Sequence, residues 1–215
     1  LGDVLGWSVS GDAVKRWETL RPPPGDALMA CSSVGAVLDE ATPEAITAYA
    51  ARGDVTRDQW NGIIDGASKH IWLYGMAEHN YATDDAVPSI LTDAAAAGCD
   101  IRVLLLSPDY PRMESIDVDE RAPGGTLAAR IRASLARFSS MRDEIGPQMQ
   151  IRTYDTHPSV SIVRGDDHML VTPYLKYMVG SSCPTLEFTE SSAAQMFDRY
   201  DRHFQSMWPQ AKDWA

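Results

Sequence analysis

The chain is short of basic charge, of cysteine and of long apolar runs, and each shortage excludes a class of function. Nineteen Lys and Arg face thirty Asp and Glu, for a net charge of −11 over 215 residues. A surface of that sign repels phosphate backbones unless a local basic face overrides it, so extended nucleic-acid contact along the chain is not expected. The three cysteines, Cys31, Cys99 and Cys183, are an odd set without C-x-x-C spacing. They read as reduced thiols of a cytoplasmic protein, with neither a disulfide framework nor a zinc site. No apolar run reaches the roughly 18 residues of a membrane span, so no membrane partner is expected. Leu1 is followed by no basic n-region and no apolar h-region, which predicts no secretory leader. The absent initiator Met suggests a fragment or a processed product.

What remains is enough for one sizeable core, since 44% of the residues are hydrophobic. The pattern divides into residues 1–24, a connector over 25–56 and a main domain over 57–215. In the first segment a short apolar helix ends near Gly6, a Ser/Gly turn follows, and a second helix carries Ala13, Val14 and Trp17 before Pro22-Pro23-Pro24 stops it. Helix, tight turn and helix is the helix-turn-helix arrangement, and the alternative is an ordinary helical hairpin packed on the main domain. The Leu-Gly, polar turn and Val-x-x-Trp-Glu succession resembles the second half of the DNA-binding domain of XRE-type bacterial regulators. That resemblance implies DNA contact through this segment, at Ser10, Lys15 and Arg16. Three basic and three acidic groups in it make a weak phosphate-binding face. Residues 26–52 read as helical, with Thr42-Pro43-Glu44 as the start signal of an Ala-rich stretch.

From Trp60 the pattern becomes α/β. His70 to Ala77 is a near-continuous apolar strand, Pro88 to Ala97 an Ala-rich helix ended by Gly98, and Ile101 to Leu106 a second buried strand. Strand, helix and strand predict a parallel βαβ unit. Asp109 to Gly125 reads as a polar surface excursion. Thr126 caps a helix whose stripe is Leu127, Ile131, Leu135, Phe138, Met141 and Ile145, and Met149 to Tyr154 is a third strand. A last amphipathic helix follows Ser191-Ser192 and buries Phe197, Phe204 and Trp208. The expected fold is one α/β domain with a mixed, mostly parallel sheet flanked by helices.

Chemistry concentrates between them, in His157-Pro-Ser-Val-Ser-Ile-Val-Arg-Gly-Asp-Asp167 and the following Met169 to Tyr174. Two apolar runs joined by Gly165-Asp166-Asp167 predict a hairpin that buries one face and lines a pocket with the other. The whole succession resembles one half of the phospholipase D superfamily. It is most similar to the domain that follows a helix-turn-helix in actinobacterial XRE-type regulators. The landmarks are Ile71 to Glu78, Gly98 to Leu106, Ser161 to Asp167 and Phe197 to Phe204. Active members of that superfamily carry His-x-Lys-x4-Asp with a Gly-Ser shortly after. Histidine takes the phosphoryl group and lysine stabilises the charge on its oxygens. Two copies of the signature are needed, from two halves or two subunits, so the resemblance implies a homodimer.

No register recovers the signature. Aligning Asp167 puts Val160 and Ile162 at the His and Lys positions. Aligning Asp166 puts Ser159 and Ser161 there, and starting from His157 puts Ser159 and Arg164 at Lys and Asp. Gly180-Ser181 arrives 13 residues after Asp167. Three readings stay open. In one, Arg164 pairs with Asp166 or Asp167, His157 is a surface turn residue and the hydroxyls satisfy backbone groups. In another, the old cleft survives as a pocket for a small anionic or phosphate-containing ligand. Arg164, Asp166, Asp167, His157, Thr172, Tyr174 and Ser181 would line it, and Glu78, just past a strand's carboxyl end, would join them. In the third, a rewired His157 is catalytic, oriented by Asp155 or Asp166. His70 and His79 read as capping or core residues, and His168 and His203 lack metal-ligand spacing. No metal or cofactor is expected. The favoured function is a non-catalytic ligand-sensing or dimerisation domain of a regulator; the alternative is a phosphodiesterase or transferase.

Overall fold

The computed structural model describes residues 46–215. The helix-turn-helix reading, Ser10, Lys15, Arg16, Cys31 and most of the connector lie outside them. Among the described residues eight strands form one mixed sheet. In chain order the elements are β1 (Thr47–Tyr49), α1 (Arg57–Ile64), β2 (His70–Gly75), α2 (His79–Thr83), α3 (Val87–Ala96) and β3 (Asp100–Leu106). There follow α4 (Met113–Asp119), α5 (Thr126–Ile145), β4 (Met149–Tyr154), β5 (Val160–Gly165), β6 (His168–Pro173), β7 (Thr185–Thr189), α6 (Ala194–Met207) and β8 (Lys212–Asp213). The strand order is β1-β7-β6-β5-β2-β3-β4-β8.

Only β2–β3 and β3–β4 pair in parallel. The other five pairings are antiparallel, so the expectation of a mostly parallel sheet holds for the βαβ half alone. The reason is connection length. Helices carry the chain across from β2 to β3 and from β3 to β4, whereas the Asp166-Asp167 turn folds β6 straight back on β5. The end of the presumed helical connector is also different: Thr47–Tyr49 is an edge strand against β7. Arg52 then donates its backbone N–H to the Cys183 carbonyl at 2.7 Å.

Local chemistry starts the helices. Thr56 caps α1 through a reciprocal box with Gln59, accepting from Gln59 N at 3.3 Å while its own N–H donates to Gln59 Oε1 at 2.8 Å. Helix α5 takes its cap from elsewhere in the chain. The buried Asp117 carboxylate accepts from Gly125 N at 2.7 Å and Leu127 N at 2.9 Å, satisfying two of the free donors at that helix end. The stretch Asp109–Gly125, expected as a surface excursion, thus contains a helix (α4) whose inward Asp117 replaces the cap expected from Thr126. Along α5, Leu127, Ile131, Leu135, Phe138 and Met141 are buried, as their spacing predicts.

Alternation along β2 divides the core. Ile71 and Leu73 face one side, while Trp72 and Tyr74 face α6, where Phe204 stacks on Trp72 with ring centroids 4.1 Å apart. On the opposite face α1 approaches so closely that a Cβ at Gly165 would lie 1.8 Å from the Ile63 carbonyl oxygen. Backbone on both sides leaves no soft way out, so Gly165→Ala should lower unfolding free energy by about 3 kcal/mol in denaturant titration.

At the hairpin turn Asp166 sits in the left-handed region, at φ 48°. Its carboxylate accepts from the N–H groups of Ser68 (3.0 Å), Lys69 (2.8 Å) and His70 (2.9 Å), tying the turn to the start of β2. Partial burial disfavours the charge, but these donors outweigh it and hold the carboxyl below its ordinary 3.8. A depressed carboxyl contributes stability that is full above 3.8 and is lost as pH falls through the lower folded value. Asp166→Ala should therefore cost about 1–2 kcal/mol at pH 7. Asp166→Asn, which tolerates the left-handed backbone, should cost less. The gap between wild type and Asn should close as acid titration passes below that folded value.

Candidate functional site

Beyond the carboxyl end of β2 lies a cleft of about 780 Å³, bordered by α1, α2, the start of α5 and the loop after β6. Its floor is set by Glu78. This residue is left-handed at φ 42° and only 3% exposed, an uncommon backbone state for a non-glycine side chain, found where the surroundings enforce it. Glu78 Oε2 accepts from Arg52 Nη2 at 2.9 Å, and Oε1 accepts from the Ser161 hydroxyl at 2.8 Å. Gly75 makes the room: a Cβ there would fall 2.0 Å from Glu78 Oε1 and 2.9 Å from the Tyr174 hydroxyl. Tyr174 in turn accepts from Met76 N at 3.1 Å.

Arg52 is held by more than its charge. The guanidinium lies over the Trp60 ring at 4.6 Å and reaches Asn80 Oδ1 at 3.4 Å. Burial works against its protonation, but Glu78 together with Tyr174 and Tyr81 outweighs it, so its pKa rises. Burial and then the Glu78 charge push the Tyr174 phenol upward, against an opposing effect from Arg52. That phenol stays neutral at physiological pH. His79, on the cleft wall, has its imidazole pKa lowered by burial and then by Arg130, and its Nδ1 lies 3.2 Å from Ser134 Oγ.

The structure brings together part of the set expected from sequence. Glu78, Tyr174 and Ser181 border the cleft, and Ser161 joins them through Glu78. The rest are elsewhere, because the two ends of the hairpin are far apart along β2. Ile162 pairs with Tyr74 near its carboxyl end, whereas Arg164 pairs with Trp72 and Gly165 with Ile71 near its start. Arg164 is a packing cation. It lies over Trp72 at 4.2 Å and Phe197 at 4.8 Å, pairs with Asp201 and donates from Nε to the Asp166 carbonyl at 2.6 Å. Arg164 lies outside the cleft lining, with Nε and Nη1 engaged inside the protein, so it is not an anion-binding group of this cleft. Asp166 is a turn lock, and Asp167 is exposed, its carbonyl accepting from Glu190 N at 2.8 Å. Thr172 is buried against Thr185, their hydroxyls 2.8 Å apart. His157 is exposed and outside the cleft lining, and Asp155 pairs with Lys212 at 3.2 Å. Among the described residues neither Asp155 nor Asp166 is hydrogen-bonded to His157.

Arg52, Trp60, Glu120 and Arg130 are among the cleft residues to which the sequence pattern gives no role. Arg52 fell in a presumed connector, and Glu120 in a presumed surface loop. The one signal available was Glu78 itself, a carboxylate closing an apolar strand, which demands a cation from somewhere. Among the described residues no group of three or more His, Cys, Asp or Glu could hold a metal.

No protein-family model matches the chain, and no curated protein matches it. Solved structures do. The chain is similar to TrmBL2, an archaeal chromatin protein with a novel mode of DNA binding, at TM-score 0.51 and 10% identity over 94% of this chain and 69% of that one. It is similar to Nuc, a phospholipase D family member from Salmonella typhimurium, at TM-score 0.48 and 14% identity over 79% and 97%. A phosphatidylserine synthase from Haemophilus influenzae Rd KW20 matches at TM-score 0.38 and 13% identity over 71% and 35%. The likeness to TrmBL2 is one of fold.

Proposed function

We propose that the chain is a phospholipase-D-like domain that senses a small ligand without catalysis, within a cytoplasmic, homodimeric XRE-type regulator that contacts DNA through residues 1–24. The observation that carries this reading is the state of Glu78. In the register that aligns Asp166, Ser161 stands where the superfamily has lysine, and its hydroxyl is spent on a carboxylate already neutralised by Arg52. Phosphoryl transfer to histidine needs an imidazole aimed at the ligand and a cation for the developing charge. Ser159 stands at the histidine position, His157 is exposed, and Arg52 is engaged. A cleft with satisfied fixed groups suits binding. The fold shared with a DNA-binding chromatin protein supports the regulator part. So does the helix-turn-helix pattern around Ser10, Lys15 and Arg16.

The test has two arms on the natural full-length protein. Selection from random duplexes followed by gel shift should yield a bound site. Lys15→Ala and Arg16→Ala should each weaken binding across sequences and flatten its salt dependence by about one counterion. Hydrolysis of bis(p-nitrophenyl) phosphate should stay at background. No DNA binding at low salt would overturn the regulator reading. Turnover that disappears in Glu78→Gln, His79→Ala or His157→Ala would replace the sensor with an enzyme.

A further inference from the structure

Most charges around the cleft are matched within the protein. Glu78 is paired with Arg52, and Asp84 with Arg57. Asp85 is exposed and solvated. Two remain. Glu120, at the end of α4, is only 9% exposed, and its Oε1 accepts a single hydrogen bond, from Gly180 N at 2.9 Å. Among the described residues no cation pairs with it. Met76, Tyr174 and Val179 share the lining of the cleft with it. A ligand cation would supply the counter-charge that Glu120 lacks among the described residues. Gly180 lets the loop backbone come this close, since a Cβ there would lie 3.3 Å from Glu120 Oε1.

The second group is Arg130 on α5, half-buried and likewise without an ion-pair partner among the described residues. Its planar fork suits two parallel hydrogen bonds to an oxyanion. The neighbouring imidazole of His79 is engaged with Ser134 and faces no carboxylate, so Arg130 supplies the positive charge on this wall. Glu120 and Arg130 line the same cavity but do not pair with each other. A ligand of one charge would satisfy one and leave the other.

Resting on the ligand-binding reading above, we infer that the cleft takes a compact zwitterion, its amine at Glu120 and its anionic group at Arg130. The amine donates to the carboxylate, and the oxyanion accepts from the guanidinium.

The test is isothermal titration of the full chain with 4-aminobutyrate, 5-aminopentanoate and 3-aminopropylphosphonate, with butyrate and butylamine as single-charge controls. At least one zwitterion should bind saturably, and both controls about tenfold or more weakly. The phosphonate against the carboxylates distinguishes the two anion chemistries. Glu120→Gln should weaken the zwitterion by about tenfold while leaving butyrate unchanged, and Arg130→Met should weaken it similarly while leaving butylamine unchanged. Melting temperatures of both variants separate binding from folding, and should Glu120→Gln unfold, Arg130→Met carries the same discrimination. Controls that bind as well as zwitterions, or zwitterion binding that survives both substitutions, would overturn the assignment. So would no binding by any probe, while the DNA-binding and turnover arms of the proposed function would be unaffected.

Discussion

A carboxylate taken out of water must find a counter-charge or take up a proton, and the chain meets that constraint at Glu78 with Arg52. Much of the cleft's architecture follows. Arg52 arrives from the turn between β1 and α1, so that turn must sit beside the carboxyl end of β2. Its backbone is fixed there by the Cys183 carbonyl, and β1 is fixed by pairing with β7. Trp60, in the first turns of α1, supplies the surface on which the guanidinium rests. Gly75 leaves the space that Glu78 fills. Losing either charge would strand the other, which is why a pair contributing little net stability can still dictate geometry.

The hairpin obeys a different constraint. Period-two alternation sends Ser161 and Arg164 to opposite faces of the sheet, and antiparallel register sends them toward opposite ends of β2. One hairpin therefore serves two unrelated ends. Near its turn, Arg164 is sandwiched by Trp72 and Phe197, and Asp166 locks the start of β2. At its open end, Ser161 and Tyr174 hold Glu78 and Met76. Proximity in sequence made these look like one cluster, and strand geometry separates them.

That separation shows what the sequence could and could not disclose. Periodicity located α5, α6, β2, β3, β4 and the hairpin, because each has an apolar pattern long enough to be unambiguous. The short pieces escaped. Thr47–Tyr49 carries too few residues for alternation to register, β7 follows a loop rich in Tyr, Met and Val, and Lys212–Asp213 is two polar residues. α4 escaped because its informative residue, Asp117, is a buried acid serving another helix, a role that spacing within a segment does not reveal. Glu78 could be singled out because its place past a strand end is a local property. Arg52, Glu120 and Arg130 join it through contacts between distant segments.

The distribution of satisfied and unsatisfied groups in the cleft then bears on its use. General acid–base catalysis by a carboxylate, imidazole or phenol requires that group to exchange a proton with the ligand. Glu78 is clamped between a guanidinium and a hydroxyl, the Tyr174 phenol is pushed upward by burial, and His79 is engaged with Ser134. The groups that keep free capacity, the acid Glu120 and the guanidinium of Arg130, sit on separate elements. Fixed charges at a distance orient a molecule without attacking it. A cleft whose proton-exchanging groups are engaged and whose orienting groups are open has the composition that the proposed binding role calls for, with Arg52 tying it to the loop before β7 through the Cys183 carbonyl.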